Sequence, residues 1–149
     1  MKTICDAMKS FLNLKQKEDE DSIDYLERYK AARDVFISHA GKVFCFPKLL
    51  QDADGYKDHI AKLEDPQSTA DEKRDAKKAI ETIHKDSMDE FLAYLYLENS
   101  DKSRYGSVLK GMDAHYIKRK DPKEEHQYPS DLMHAQQILR NHRDRKSVV

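Results

Sequence analysis

Cysteine is scarce in this chain. Cys5 and Cys45 are the only two in 149 residues, too few for a disulfide framework, and a reduced setting is the default for such a chain. Glycine is also scarce, at 4 residues, which argues against enzymes built on a glycine-rich phosphate loop. There is no excess of charge of either sign: 27 basic residues stand against 28 acidic ones, for a net charge of −1. The first half carries −3 and the second +2, a tilt too small to announce nucleic acid by itself. Long hydrophobic runs are missing. The longest, residues 91–97, contains two tyrosines and falls far short of the roughly 20 apolar residues of a membrane span. Lys2, Asp6 and Lys9 interrupt the N-terminal apolar stretch, so residues 1–14 do not read as a secretory signal. The expectation is a soluble cytoplasmic protein with no membrane partner, forming one domain or two very small ones.

Leu, Ile, Val and Phe make up 30 of the 149 residues, at the edge where folded chains give way to disordered ones. The near-zero net charge and 8 tyrosines pull the chain back to the folded side. With 37% of residues charged, a modest core under a heavily solvated surface is expected.

The apolar spacing is helical almost throughout. A first amphipathic segment covers residues 4–15, with Met8, Phe11, Leu12 and Leu14 on one side. An acidic run, residues 18–21, then favours a helix N-terminus with Asp21 or Ser22 as its cap. The second helix spans residues 23–38, where Tyr25, Tyr29, Ala32 and Phe36 share a face flanked by Leu26 and Val35, and Gly41 stops it. Residues 43–46 read as a short strand or a packed turn, and residues 56–63 as a weak helix. Thr69 and Glu72 have the spacing of a capping box, as do Ser87 and Glu90, which either break the following helix or are absorbed by it. Residues 91–97 are apolar all round and predict the central buried helix. Asp101 caps a helix over residues 102–110, the pattern resumes after Gly111, and a last helix follows Tyr128-Pro129-Ser130 with Leu132, Ala135, Ile138 and Leu139 inward.

Chemistry-bearing constellations are thin. Asp52-Ala53-Asp54-Gly55 has the look of a calcium loop, but Leu50 and Ala61 fall at its two end ligand positions, which favours a solvated turn. None of the 7 histidines stands in HExxH spacing, neither Cys stands in CxxC, and Cys45 near His39 and His59 reads as a buried thiol beside surface histidines. The paired Glu-x-x-His motifs of a di-iron bundle and the GxSxG elbow of a hydrolase are not found. No catalytic residue, metal, cofactor or small-molecule substrate is therefore expected. Two basic patches occur. Residues 118–120 read as a solvated connector, whereas Arg140, Arg143, Arg145 and Lys146 divide evenly between a phosphate-contacting tail and an ordinary helix C-terminus.

Two segments carry a family likeness. Residues 91–116 read FLAYLYLENSDKSRYGSVLKGMDAHY and are followed, after a charged linker, by YPSDLMHAQQILRN at residues 128–141. Upstream, residues 14–36 read LKQKEDEDSIDYLERYKAARDVF. This order resembles the Gag-like capsid region of copia-type LTR retrotransposons: a Leu-x-Gln helix end, an acidic loop, Ser-x-x-Tyr-Leu, an apolar helix, Arg-Tyr-Gly, a second Tyr, then Tyr-Pro and an Ala/Leu helix. The matching positions are Tyr25, Leu26, Tyr29, Phe91, Leu92, Arg104, Tyr105, Gly106, Tyr116, Tyr128, Pro129, Ala135 and Leu139. Most are packing residues, so their order and spacing carry the resemblance.

The resemblance implies an all-α, capsid-like bundle of five to seven helices over residues 1–140, with two lobes joined near residues 64–70 and a basic flexible tail at residues 141–149. It implies a structural protein without catalysis that associates with copies of itself around an element's RNA. It also implies a close helix approach at Gly106. No Cys follows Cys45, so the zinc knuckle C-x2-C-x4-H-x4-C is not in this chain. That leaves the basic tail as a weak, non-specific RNA contact, and the chain reads as a capsid-like fragment or a shortened Gag. The competing reading is a helical adaptor that presents a groove to a partner peptide and does not assemble.

Overall fold

The computed structural model describes residues 1–41, 46–118 and 128–147, apart from the side chains of residues 49, 113–118 and 143–147. These residues form seven α-helices and no strand: α1 (Lys2–Leu12), α2 (Ser22–Ala40), α3 (Pro47–Gln51), α4 (Tyr56–Glu64), α5 (Ala70–Glu98), α6 (Lys102–Lys118) and α7 (Leu132–Ser147). The fold is the all-α, multi-helix type that the spacing of apolar residues predicts. Cys45, Arg119 and Lys120 lie outside the described residues, as do residues 43–45 of the segment read as strand or turn.

Local chemistry sets the helix ends. The Asp21 carboxylate accepts from the Ile23 N–H at 2.9 Å and starts α2. Gly41, at φ 79°, ends it while donating its N–H to the Ile37 carbonyl, a backbone conformation that suits glycine. The Thr69 box closes at both halves: Glu72 N–H donates to Thr69 Oγ1 at 3.1 Å and Thr69 N–H donates to Glu72 Oε2 at 3.2 Å. The Ser87 box is absorbed, since α5 runs unbroken through it. Gly111 likewise lies inside α6, because one helical glycine costs only about 1 kcal/mol and no proline accompanies it. At α7 the capping side chain is Asp131, which accepts from His134 N–H at 2.8 Å. The backbone of α7 is helical through Ser147, across most of the segment set apart as a tail.

Two compact units result, one formed by Met1–Lys42 with Glu90–Val149 and the other by Val43–Asp89. In the second unit Leu50, Ala76, Ile80 and Met88 are buried, and the Tyr56 ring lies 6.1 Å from that of His84. The first unit is built on aromatic rings. Phe11 of α1 sits 5.0 Å from Tyr29 and 6.1 Å from Phe36 of α2. Tyr25 stacks on Tyr96 of α5 at 4.5 Å, and Tyr29 meets Tyr96 edge-on at 5.2 Å. Such pairs add about 0.5–1.5 kcal/mol each beyond the apolar area they bury. Leu92, Ala93, Leu97, Tyr105, Leu109, Pro129, Ala135 and Leu139 are buried in the same unit. Val35, expected to flank the inner face of α2, is instead 51% exposed, whereas Leu26 is buried.

Candidate functional site

Gln16, Asp101 and Arg104, which belong to the segments that carry the family likeness, meet at the acidic loop between α1 and α2. Gln16, the Gln of Leu-x-Gln, uses three groups at once. Its backbone N–H donates to Asn99 O at 2.9 Å, its Nε2 donates to Glu20 O at 3.0 Å, and its Oε1 accepts from Asp101 N–H at 2.9 Å. Asn99 Nδ2 returns a bond to Leu12 O at 3.0 Å. The loop is thereby tied to the junction of α5 and α6.

Two arginines grip it. Arg104 donates from Nε to Asp101 Oδ2 at 2.8 Å and from Nη2 to the carbonyls of Lys17 and Glu20 at 2.9 and 2.8 Å. Arg28 forks onto the Glu20 carboxylate at 2.5 and 2.6 Å and reaches Lys15 O at 2.9 Å. The planar guanidinium serves several fixed acceptors at once, which an ammonium does poorly. The Arg28 hydrogen bond holds the Glu20 carboxyl below the usual carboxylate range against the opposing effect of burial. Burial pushes Asp101 upward, but hydrogen bonds from Arg104 and Ser103 overcome it and leave that carboxyl low as well.

A buried polar network lies behind the loop. Tyr25 OH donates to Tyr96 O at 2.6 Å, and Tyr29 OH to Leu92 O at 2.5 Å. Tyr96 OH meets the Ser22 carbonyl at 3.2 Å and Gln136 Oε1, while Gln136 Nε2 donates to Ser22 Oγ at 3.3 Å. These bonds join α2, α5 and α7. Burial pushes all three phenols well above the ordinary tyrosine range, so they stay neutral and act as donors. Tyr105 is also buried; its OH and the neighbouring His142 Nε2 have no hydrogen-bond partner among the described residues, with the two rings 6.0 Å apart.

Comparison with protein-family models, with curated proteins and with solved structures found no significant match.

Tyr25, Leu26, Tyr29, Leu92, Tyr105, Pro129, Ala135 and Leu139 are buried, and Phe91, Arg104, Gly106 and Tyr128 are half-buried. Tyr128 packs edge-on against Tyr94 at 5.3 Å. Tyr116 lies on α6, with its side chain outside those described. Gly106 corrects the expectation. Among the described residues a Cβ added there would meet only Lys102 Cβ, at 3.9 Å, so no described helix needs the space. Arg140 is exposed on α7; Arg143, Arg145 and Lys146 continue that helix, with side chains outside those described.

Sequence reasoning missed the partnership of Arg28 with Glu20 and of Ser22 with Gln136. The first spans 8 residues and the second 114, separations that carry no local signal. Among the described residues no group of three or more His, Cys, Asp or Glu could hold a metal ion. Asp52 and Asp54 are exposed in the turn before Gly55. Glu81 and His84 of α5 form a single Glu-x-x-His spacing, where a di-iron bundle uses two. Among the described residues no helix is long and apolar enough to cross a membrane.

Proposed function

We propose that this chain is the capsid-like part of a Gag-type protein from a copia-type LTR retrotransposon, a cytoplasmic structural protein that works by associating with copies of itself. The observation that supports this reading is the joint role of the motif residues. Gln16, Asp101 and Arg104 fasten one loop, and Tyr25, Tyr29, Leu92, Tyr105, Ala135 and Leu139 build one core. A motif most of whose described members maintain a folded shape suits a protein whose product is its outer surface. Contacts to RNA fall to the basic end of α7 and are salt-sensitive and non-specific.

The test is a concentration series on the full chain, with and without single-stranded RNA, followed by light scattering and electron microscopy. Particles or large oligomers that grow with concentration are expected, since many weak symmetric contacts sum to a stable shell. A strict monomer at the highest attainable concentration, with and without RNA, overturns the reading and favours the adaptor.

A further inference from the structure

Two surfaces of the first unit complement each other and are on different helices. One is an open groove of about 430 Å³ lined by Glu98, Lys102, Gly106, Ser107, Leu109 and Lys110. Lys102, Gly106 and Lys110 stand four residues apart along α6, a row about 12 Å long with a cation at each end and a bare backbone saddle between. The other is the outer ridge of α2. Ile23, Glu27, Ala31 and Val35 recur every four residues there and are all exposed, with Ile23 at 54% and Val35 at 51%. Asp34, also exposed, flanks Val35 and pairs with its neighbour Arg33 at 3.1 Å. The ridge is apolar and acidic with a small residue at its middle; the groove carries Lys110 and a Lys102 that pairs with Glu98 at 3.4 Å, with its smallest residue at its middle.

We propose that the α2 ridge of one copy docks in the α6 groove of a second, with Ala31 over Gly106, Glu27 facing Lys110 and Asp34 facing Lys102. The separation of Glu27 from Asp34, about 10 Å along the helix, fits that of the two lysines. Two rows of four-residue spacing interdigitate in the commonest helix-packing mode, and small residues at the crossing let the backbones approach. This use of Gly106 accounts for a helix-interior glycine that nothing among the described residues requires. The occupant is a second copy because the chain itself carries the ridge of matching charge and spacing. The contact is heterologous, so repeated use closes a ring or extends an open array. The inference rests on the self-association reading above and names its surface.

The test uses two full-length variants, Ala31→Arg in the ridge and Gly106→Arg in the groove, each checked for wild-type helicity by circular dichroism. Each alone is expected to weaken self-association by about tenfold or more. An equimolar mixture is expected to form a one-to-one dimer and nothing larger, because each variant keeps the half that the other lacks. Should either variant fold poorly, facing charges are reversed instead: Glu27→Lys or Lys110→Glu alone is expected to weaken association, and an equimolar mixture to restore it, because the exchanged charges pair as the native ones do. If the wild type associates but the variants associate equally well, or their mixture gives no dimer, the docking is wrong and the proposed function stands. A wild type that never associates removes both.

Discussion

Removing Arg104 tests whether the loop grip is a real determinant of the first unit. Arg104→Ala deletes three hydrogen bonds from a cationic donor, two to backbone carbonyls and one to Asp101. Charged hydrogen bonds contribute roughly 1.5–3 kcal/mol each at full value. Two discounts apply. The Arg104 side chain is 29% exposed, so water takes over part of its role, and the Glu20 carbonyl keeps its bond from Gln16. The expected loss is therefore about 2 kcal/mol rather than the full sum. At an m-value of roughly 1–3 kcal/mol/M, the urea midpoint falls by about 1 M. Tyrosine signals isolate the relevant unit: of 8 tyrosines only Tyr56 belongs to Val43–Asp89, and no tryptophan masks them. Near-ultraviolet circular dichroism in a urea titration thus reads the unit that Arg104 stabilises. Arg104→Lys is expected to recover little, since one ammonium cannot span the three acceptors. A midpoint unchanged within error for Arg104→Ala would refute the reasoning and reduce the grip to an incidental surface contact.

Three further outcomes follow from the same geometry. Tyr96→Phe leaves Gln136 Oε1 without its hydroxyl donor and should lower stability by about 1–3 kcal/mol in the same urea titration. Gly106→Ala meets no clash among the described residues and should raise thermal stability by about 0.5–1 kcal/mol, measured at low protein concentration. Glu20 and Asp101 have carboxyls lowered by folding, so their contribution is present above their usual values of 4.5 and 3.8 and is lost as pH falls through the folded values. Stability measured from pH 6 downward should fall, and Glu20→Gln should flatten part of that slope.

The helical elements were legible because their signals are local. Asp21, Gly41, the Thr69–Glu72 pair and Asp101 act within a few residues of themselves, and each marks a boundary in the structure. The buried faces of α2 and α7 were legible for the same reason, in the spacing of Tyr25, Tyr29 and Phe36 and of Ala135 and Leu139. What joins the helices was not. The Arg104 grip crosses 87 residues to Lys17, and which carbonyls it serves depends on how α6 is oriented over the loop. The exposure of Val35 was hidden too, because an apolar residue at the margin of a helix stripe faces inward or outward according to the neighbour beside it. Gly111 offered a plausible stop that the helix overrides, since nothing after it competes for the backbone.

The first unit is interrupted by the second, and this orders events during synthesis. Tyr29 waits 63 residues for the Leu92 carbonyl, Tyr25 waits 71 for that of Tyr96, and Gln136 reaches Ser22 only across 114. At roughly 5–20 residues per second, a ribosome leaves α1 and α2 with their aromatic face uncovered for several seconds. Segment 43–89, complete in sequence before those partners emerge, can collapse first. The N-terminal helix pair is thus a nascent-chain liability that translation speed and chaperones would govern, and slowing elongation should lower the soluble yield.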